Sequence, residues 1–171
     1  AHCNRIGAGV PYDLDIQADP KDSTRYAVVL SQSGLGLPDR DYYLKDDAHF
    51  QAIRTGYRDH IVKLLALAGE PAAETSAGEI IALETRLARL QWTRVENRDP
   101  VKTYNKQSLN RLDALTPGYS WKTWATGIRI AGRTDAVIVA QPSYLDGFAK
   151  AVDALPLDAW KAYFKYRVVA S

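Results

Sequence analysis

The sequence is poor in the residues that most often bind metals or form disulfides. It contains one cysteine, Cys3, and three histidines, His2, His49 and His60. A single cysteine excludes an internal disulfide and a zinc site built on cysteines. No histidine begins an HExxH motif, and His49 and His60 are about three helical turns apart, too far to share one metal. We therefore predict no catalytic residue, no metal ligand and no cofactor in this chain.

Long apolar runs and a strong excess of one charge are also missing. The apolar stretch Ile61–Ala68 is interrupted by Lys63 and is far shorter than the roughly 20 residues of a membrane helix. The chain does not open with a charged segment followed by an apolar core, the pattern of a signal peptide. The formal net charge is only +2. These absences predict no membrane segment in this chain and no nucleic-acid partner.

One stretch of the chain, residues 86–111, is nevertheless locally basic. Trp92 and Tyr104 lie between its cations, and Glu96 and Asp99 are its only acids. One interpretation is a nucleic-acid surface. The other, which we favour because acids elsewhere nearly cancel the charge, is a solvated helix face or a basic surface lining a cavity for anionic peptides. The cations are Arg86, Arg89, Arg94, Arg98, Lys102, Lys106 and Arg111.

The two ends of the sequence predict a fragment. Methionine is absent, and the closing residues AYFKYRVVAS have the pattern of an amphipathic helix without a glycine or proline stop signal. We therefore expect residues 1–171 to form a single partial domain of a larger polypeptide.

The opening third of the chain has the pattern of a β-hairpin. Tyr12, Leu14 and Ile16 alternate with aspartates, and YAVVL at residues 26–30 is rich in β-branched side chains. The intervening ADPKDST, residues 18–24, has turn chemistry. We predict a hairpin over about residues 11–31 with a long turn.

The rest of the chain is predicted to be helical. Apolar residues at three- and four-residue spacing indicate long helices over about residues 46–68 and 72–91, packed as an antiparallel pair. Asp46 or Asp47 can cap the first, and Gly69 and Pro71 can end it. Shorter helices follow. The fold class is therefore mainly α, a bundle-like helical lobe with a small β-hairpin near the N-terminus.

Smaller elements are predicted beyond residue 97. Ser108 and Ser120 can each cap a short helix, and residues 137–139 can form a short strand. Pro142 suits the first turn of another helix. A last helix is expected to begin near Asp158.

The run GLGLPDRDYYL, residues 34–44, is the most distinctive part of the sequence. It lacks the Gly-Lys-Ser/Thr of a phosphate loop. An EF-hand loop counted from Asp39 would need glycine and glutamate where Leu44 and Phe50 stand, so the aspartates are better explained as caps and solvated charges. We interpret the run as a structural joint between hairpin and helix. Its signature residues are Gly34, Leu35, Gly36, Leu37, Pro38, Tyr42 and Tyr43.

Ordered blocks of the sequence resemble one family. LSQSGLGLPDRDYYL, residues 30–44, resembles a segment of the non-catalytic N-terminal region of the neprilysin and endothelin-converting enzyme family, zinc metallopeptidases that include bacterial oligopeptidases. The hairpin PYDLDIQADPKDSTRY precedes it in the same order, and three blocks follow. These are IIALETRLARLQW, ENRDPVKTYNKQSLNRL and VIVAQPSYLDGF. The resemblance begins at about Val10 and leaves Ala1–Gly9 unplaced.

The resemblance implies a two-lobed peptidase of which this chain is the helical cover lobe. It implies that zinc and the catalytic residues belong to the other lobe of the parent enzyme, and that the partners are that catalytic lobe of the same polypeptide and short peptide substrates. It assigns no substrate-binding residue here, and it implies a periplasmic or extracellular location. The alternative is a free-standing helical module that binds proteins or peptides without enzymatic activity.

Overall fold

The computed structural model of the protein describes residues 8–134 and 136–171. His2 and Cys3 lie outside the described residues. The mainly α class predicted from the sequence is confirmed, with a small sheet whose hairpin lies near the N-terminus. The elements are β1 (Tyr12–Asp19), β2 (Asp22–Gln32), α1 (Asp41–Leu44), α2 (Ala48–Leu67), α3 (Ala73–Leu90), a 3₁₀ turn (Glu96–Arg98), β3 (Asn105–Ser108), α4 (Leu109–Leu115), α5 (Trp121–Gly127), β4 (Ala136–Val139), α6 (Pro142–Ala154) and α7 (Leu157–Val169).

The hairpin is present, but its turn is short. β1 and β2 pair in antiparallel register from Tyr12 opposite Gln32 to Asp19 opposite Asp22, with a shift between Ala18 and Asp19. The predicted long turn is therefore wrong, because only residues 20 and 21 lie between the strands. Asp19 and Asp22, which the sequence placed in the turn, belong to the paired strands instead. Asp19 and Asp22 accept hydrogen bonds from backbone N–H groups two residues ahead.

The hairpin continues into a four-stranded sheet with the order β1-β2-β4-β3. β4 is parallel to β2, with Val28 opposite Val137, and β3 is antiparallel to β4. The strand predicted at residues 137–139 is confirmed. β3 was not predicted, because its sequence NKQS has no apolar or β-branched residue.

One hydrophobic core contains side chains of the sheet and of the helices. Residues of the sheet's inner face, among them Leu30, Val137 and Val139, are fully buried. α3 packs against α2, α6 and α7, so it is the central helix of the fold. Both long helices lie within a few residues of their predicted bounds, and α7 begins one residue before Asp158. Among the described residues, no helix combines the length and apolar character required to span a membrane.

The predicted helix caps are found where the sequence placed them. Asp47 accepts hydrogen bonds from the N–H groups of His49 and Phe50 at the start of α2. Ser108 and Ser120 cap α4 and α5 in the same way, and Pro142 occupies the first turn of α6. These local interactions satisfy first-turn donors that have no partner inside the helix.

One buried carboxylate ties the hairpin to β3. Asp19 is only 2% exposed. It accepts hydrogen bonds from Lys106 Nζ at 2.6 Å, Tyr104 Oη at 2.9 Å and the Lys21 amide at 3.0 Å. The hydrogen bond from Lys106, helped by the other donors, lowers the pKa of Asp19 to about 2. The ion pair therefore connects β1 and β3, the two edge strands of the sheet.

This lowered pKa predicts acid sensitivity of a defined sign. Asp19 adds stability above its ordinary pKa of 3.8, and that stability is lost as the pH falls towards about 2. We expect the melting temperature of Asp19→Asn to depend less on pH than that of the unsubstituted protein between pH 5 and pH 2, which a pH series of thermal melts measures. Asp59→Asn, on the exposed side of α2, is the matched control. Equal slopes for all three proteins would contradict the assignment.

Candidate functional site

The signature segment, residues 34–43, joins β2 to α1 and is held from several sides. Gly34 has φ +93, a left-handed conformation that glycine adopts without strain. A Cβ there would lie 2.6 Å from Pro11 Cα. Tyr163 of α7 donates a hydrogen bond to the Gly34 carbonyl at 2.9 Å. The chain can make this turn only because position 34 carries no side chain.

Position 36 is restricted for a different reason. Gly36 is not in a left-handed conformation, but a Cβ there would lie 1.8 Å from Tyr57 Oη and 2.6 Å from Tyr57 Cζ. The backbone of the segment thus lies directly on the ring of a buried α2 side chain. The second glycine of GLGLP provides a close contact between loop and helix.

A buried glutamate lies beneath the segment. Glu84 of α3 is 0% exposed. Tyr43 donates a hydrogen bond to Glu84 Oε2 at 2.6 Å, and Tyr57 donates to the same oxygen at 2.9 Å. Tyr43 Oη in turn accepts from the amides of Gly36 at 3.1 Å and Leu37 at 2.9 Å. We call Tyr43, Tyr57 and Glu84 the tyrosine–glutamate cluster.

The cluster connects three elements that are far apart in sequence. Tyr43 comes from α1, Tyr57 from α2 and Glu84 from α3, and the loop amides complete the network. The side chains that donate hydrogen bonds to the Glu84 carboxyl group are the neutral hydroxyls of Tyr43 and Tyr57. Such a network stabilises a single arrangement, because an unsatisfied buried carboxylate or amide would cost free energy.

Burial dominates the protonation of this cluster. Burial raises the pKa of Glu84, and the hydrogen bonds from Tyr43 and Tyr57 and the charge of Arg167 oppose that rise only in part. Burial and the nearby Glu84 carboxylate raise the pKa of Tyr43 and Tyr57. The two hydroxyls therefore remain donors. Because Glu84 has no exposed surface, it cannot act on a ligand from solution. The tyrosine–glutamate cluster is therefore structural: it connects the signature segment to α2 and α3.

The aspartates of the run act as caps and ion-pair partners. Asp39 accepts from the Asp41 amide at 2.7 Å and pairs with Arg94 at 2.5 Å. Asp41 pairs with Lys45 at 2.9 Å, and Asp46 pairs with Arg54 at 3.2 Å. Within residues 8–134 and 136–171, no group of three or more His, Cys, Asp or Glu side chains could hold a metal ion.

A polar cleft of about 370 Å³ borders the signature segment. Gln32 exchanges two hydrogen bonds with the backbone of Trp92, at 2.7 and 3.0 Å. Gln141 donates to Asn97 at 3.0 Å and accepts from the Gln32 amide at 2.8 Å. These side chains bond to one another and to backbone, so the cleft floor is a rigid polar network.

The signature residues divide between loop and core. Gly34, Leu35, Gly36, Leu37 and Pro38 form the loop, and all but Gly36 line the polar cleft. Tyr43 belongs to the cluster, whereas Tyr42 packs edge-on against Phe50 with ring centroids 5.2 Å apart. Two cations of the basic stretch are paired with acids, Arg94 with Asp39 and Lys106 with Asp19.

Glu84 was missed by the sequence reasoning, which placed Tyr57 on the apolar face of the first long helix, although one signal for Glu84 was present. Glu84 stands four residues after Ile80 and three before Leu87, in line with the buried stripe of α3. A charged residue in an apolar helical stripe indicates a buried partner. The identity of that partner, Tyr43 of the signature segment, is set by tertiary structure.

Comparison with known proteins gives a consistent match. The family model described as Peptidase family M13, N-terminal part, matches residues 1–171. The chain is 30% identical over 166 residues to endothelin-converting enzyme-like 1 of Rattus norvegicus, covering 95% of this chain and 21% of that protein. It is 30% identical over 141 residues to human endothelin-converting enzyme 1, covering 79% of this chain and 18% of that protein.

A solved structure is also similar over almost the whole chain. It is the Mycobacterium tuberculosis zinc metalloprotease Zmp1 in complex with an inhibitor, with a TM-score of 0.89 and 33% sequence identity. The alignment covers 96% of this chain and 25% of that one. The chain therefore spans about a fifth to a quarter of the length of these relatives.

Proposed function

The chain belongs to peptidase family M13, and we propose that it is the non-catalytic N-terminal portion of a zinc metalloendopeptidase that cleaves short peptides. The observation that carries this proposal is the family match over residues 1–171 combined with coverage of only 21% to 25% of the relatives. Most of the length of such an enzyme lies outside this chain. The chemistry of peptide hydrolysis is assigned to that remainder.

The residues described here do not fit a zinc ion. Protein zinc sites use three or four His, Cys or acidic ligands converging on one point. No such group occurs in the described part of the chain. We therefore assign no zinc ligand and derive no catalytic step within this chain. Zinc, which the name of the mycobacterial relative implies for that protein, would be held by another part of the polypeptide here.

We further propose that this lobe encloses the active-site chamber and limits the size of the substrate. A wall of this kind must keep its shape while peptides enter and leave. The tyrosine–glutamate cluster suits that task, because it holds the loop against α2 and α3 through Gly36, Tyr43 and Glu84. The catalytic lobe of the same polypeptide is the proposed partner, and residues 1–171 are a single partial domain of the cover.

The proposal predicts inactivity of the isolated chain. Residues 1–171 expressed alone should cleave no peptide and should bind no stoichiometric zinc, since residues 8–134 and 136–171 supply no converging ligands. The measurements are a fluorogenic-peptide assay and metal analysis of the purified chain. The product of the complete natural gene, assayed in parallel, should bind zinc and cleave short peptides.

The controls separate the parts of the proposal. An intact folded protein carrying the same cleavage sequence in a loop should resist the complete gene product, because the lobe restricts access. Equal cleavage of peptide and folded protein would remove the size-limiting role and leave the family assignment intact. Peptide cleavage by residues 1–171 alone would contradict the non-catalytic assignment. If the natural gene proves to encode no more than this lobe, the alternative of a free-standing binding module is favoured.

A further inference from the structure

A basic hollow lies on the opposite part of the sheet from the signature segment. Its walls come from the hairpin and from the connection between α5 and β4, and its volume is about 730 Å³. Ile16, Ile128 and Ile130 provide apolar wall, and Arg129 and Arg133 are among its cations. No part of the proposed function accounts for it.

The described residues that line the hollow carry an excess of positive charge. None of its described lining residues is an aspartate or glutamate, whereas Arg25, Lys106, Arg129 and Arg133 are all cations. Lys106 is already paired with Asp19. Within the described part of the chain, Arg129 and Arg133 make no side-chain hydrogen bond or ion pair. The charge of Arg25 acts on both Asp22 and Lys106. A ligand with carboxylates would neutralise this excess.

Arg129 also occupies a backbone position that suits glycine better. Its φ is 65, and no other described residue except glycine has positive φ. It follows α5 in a helix-ending motif in which the Arg129 amide bonds to the Thr126 carbonyl and the Ile130 amide to the Ala125 carbonyl. A side chain at a left-handed backbone position is less stable than glycine there.

The same motif elsewhere in the chain uses glycine. At the end of α2 the Gly69 amide bonds to the Ala66 carbonyl and the Glu70 amide to the Leu65 carbonyl, and Gly69 has φ +76. The two helix ends thus have the same geometry and differ in the residue at the left-handed position. Local stability does not explain an arginine at position 129, so its side chain points to a role in the hollow.

The hollow is also bordered by exposed apolar side chains. Tyr26 is 81% exposed and Ile16 is 56% exposed. An inorganic anion would leave these side chains and most of the volume unused, since sites of about 300 to 1,000 Å³ take larger ligands. A nucleic acid is disfavoured by the formal net charge of only +2. We propose that this basic hollow docks an acidic peptide segment with apolar side chains, supplied by a separate polypeptide.

The test is a binding titration on the product of the complete natural gene, with a chelator present to prevent cleavage. The probe is a fluorescein-labelled synthetic peptide in which glutamates alternate with leucine and phenylalanine, followed by fluorescence anisotropy. The double variant Arg129→Gly, Arg133→Gln should weaken binding by about tenfold or more, since each exposed ion pair contributes modestly. The same peptide with glutamine in place of glutamate should bind the unsubstituted protein more weakly by a similar factor. Arg86→Gln, an exposed cation on α3, is the matched control and should bind as the unsubstituted protein does.

Thermal melting of Arg129→Gly separates docking from structural support. Glycine removes the backbone strain, so this variant should melt at the same or a higher temperature while it binds the peptide more weakly. A lower melting temperature would mean that Arg129 supports the fold, and unchanged binding by the double variant would overturn the proposal. Displacement of the peptide by an equal concentration of inorganic phosphate would show a simple anion site, and tighter binding of single-stranded DNA would show a nucleic-acid surface. Either result would also overturn it.

Discussion

Gly36→Ala is expected to lower the free energy of unfolding by about 4 kcal/mol. The added Cβ would lie 1.8 Å from Tyr57 Oη, so the tyrosine or the loop must move. Overpacking costs about 1 to 3 kcal/mol, and weakening a hydrogen bond to a buried carboxylate costs a similar amount. The backbone at position 36 accepts alanine without strain, so the loss reports the contact with Tyr57. Denaturant unfolding followed by circular dichroism measures it.

Gly56→Ala provides the matched control for the same added methyl group. Gly56 lies within α2, one residue before Tyr57, and a Cβ there would meet no atom within 4 Å. Alanine favours a helix by about 1 kcal/mol over glycine, so this variant should be more stable than the unsubstituted protein. The two substitutions are thus expected to act in opposite directions. A Gly36→Ala protein as stable as the unsubstituted protein would contradict the close contact between loop and α2.

The long helices could be predicted from the sequence because their signals are local. Apolar residues of α2 and α3 recur at helical spacing, Asp47 caps α2 through its own first turn, and Gly69 supplies the left-handed residue at its end. Each of these interactions joins residues a few positions apart, so the pattern is visible in a single stretch of sequence.

β3 and the short hairpin turn could not be predicted because their causes are distant in sequence. NKQS forms a strand only since its backbone pairs with β4, about thirty residues later. The residues ADPKDST are typical of a loop. Asp19 nevertheless lies in the sheet, where it accepts hydrogen bonds from Lys106 and Tyr104 of a later segment. Tertiary contacts override the local preference at both places.

The signature segment lies between these two cases. Its glycines and tyrosines indicate a tight turn that is anchored in the core. This much can be inferred without knowing which residues elsewhere in the chain contact it. Which atoms anchor it depends on Glu84, whose position in the stripe of α3 becomes meaningful only when Tyr43 and Tyr57 are placed beside it. The family match identifies the chain as an N-terminal region of peptidase family M13, and the buried Glu84 explains how the signature segment is held in place.

Tyr43→Phe is expected to lower the free energy of unfolding by about 3 kcal/mol. The substitution removes one hydroxyl that accepts from the Gly36 and Leu37 amides and donates to Glu84. Leaving a buried donor or acceptor unsatisfied costs about 1 to 3 kcal/mol. Tyr42→Phe is the control on the neighbouring residue, because the Tyr42 ring packs on Phe50 and its hydroxyl makes no hydrogen bond with the described residues. It should change stability by less than about 0.5 kcal/mol.

The same cluster gives stability a pH dependence that Glu84→Gln should remove. Because burial raises the pKa of Glu84 in the folded protein, its contribution is complete below the ordinary value of 4.5 and is lost as the pH rises through the raised pKa. Melting temperatures between pH 4.5 and pH 8 should therefore fall more steeply for the unsubstituted protein than for Glu84→Gln. The loss from Asp19 has the opposite sign and lies below pH 3.8, so it does not enter this range. Parallel curves for the two proteins would mean that Glu84 is ionised in the folded protein as readily as in water. The tyrosine–glutamate cluster would then depend on a charged carboxylate that interacts with Tyr43, Tyr57 and Arg167.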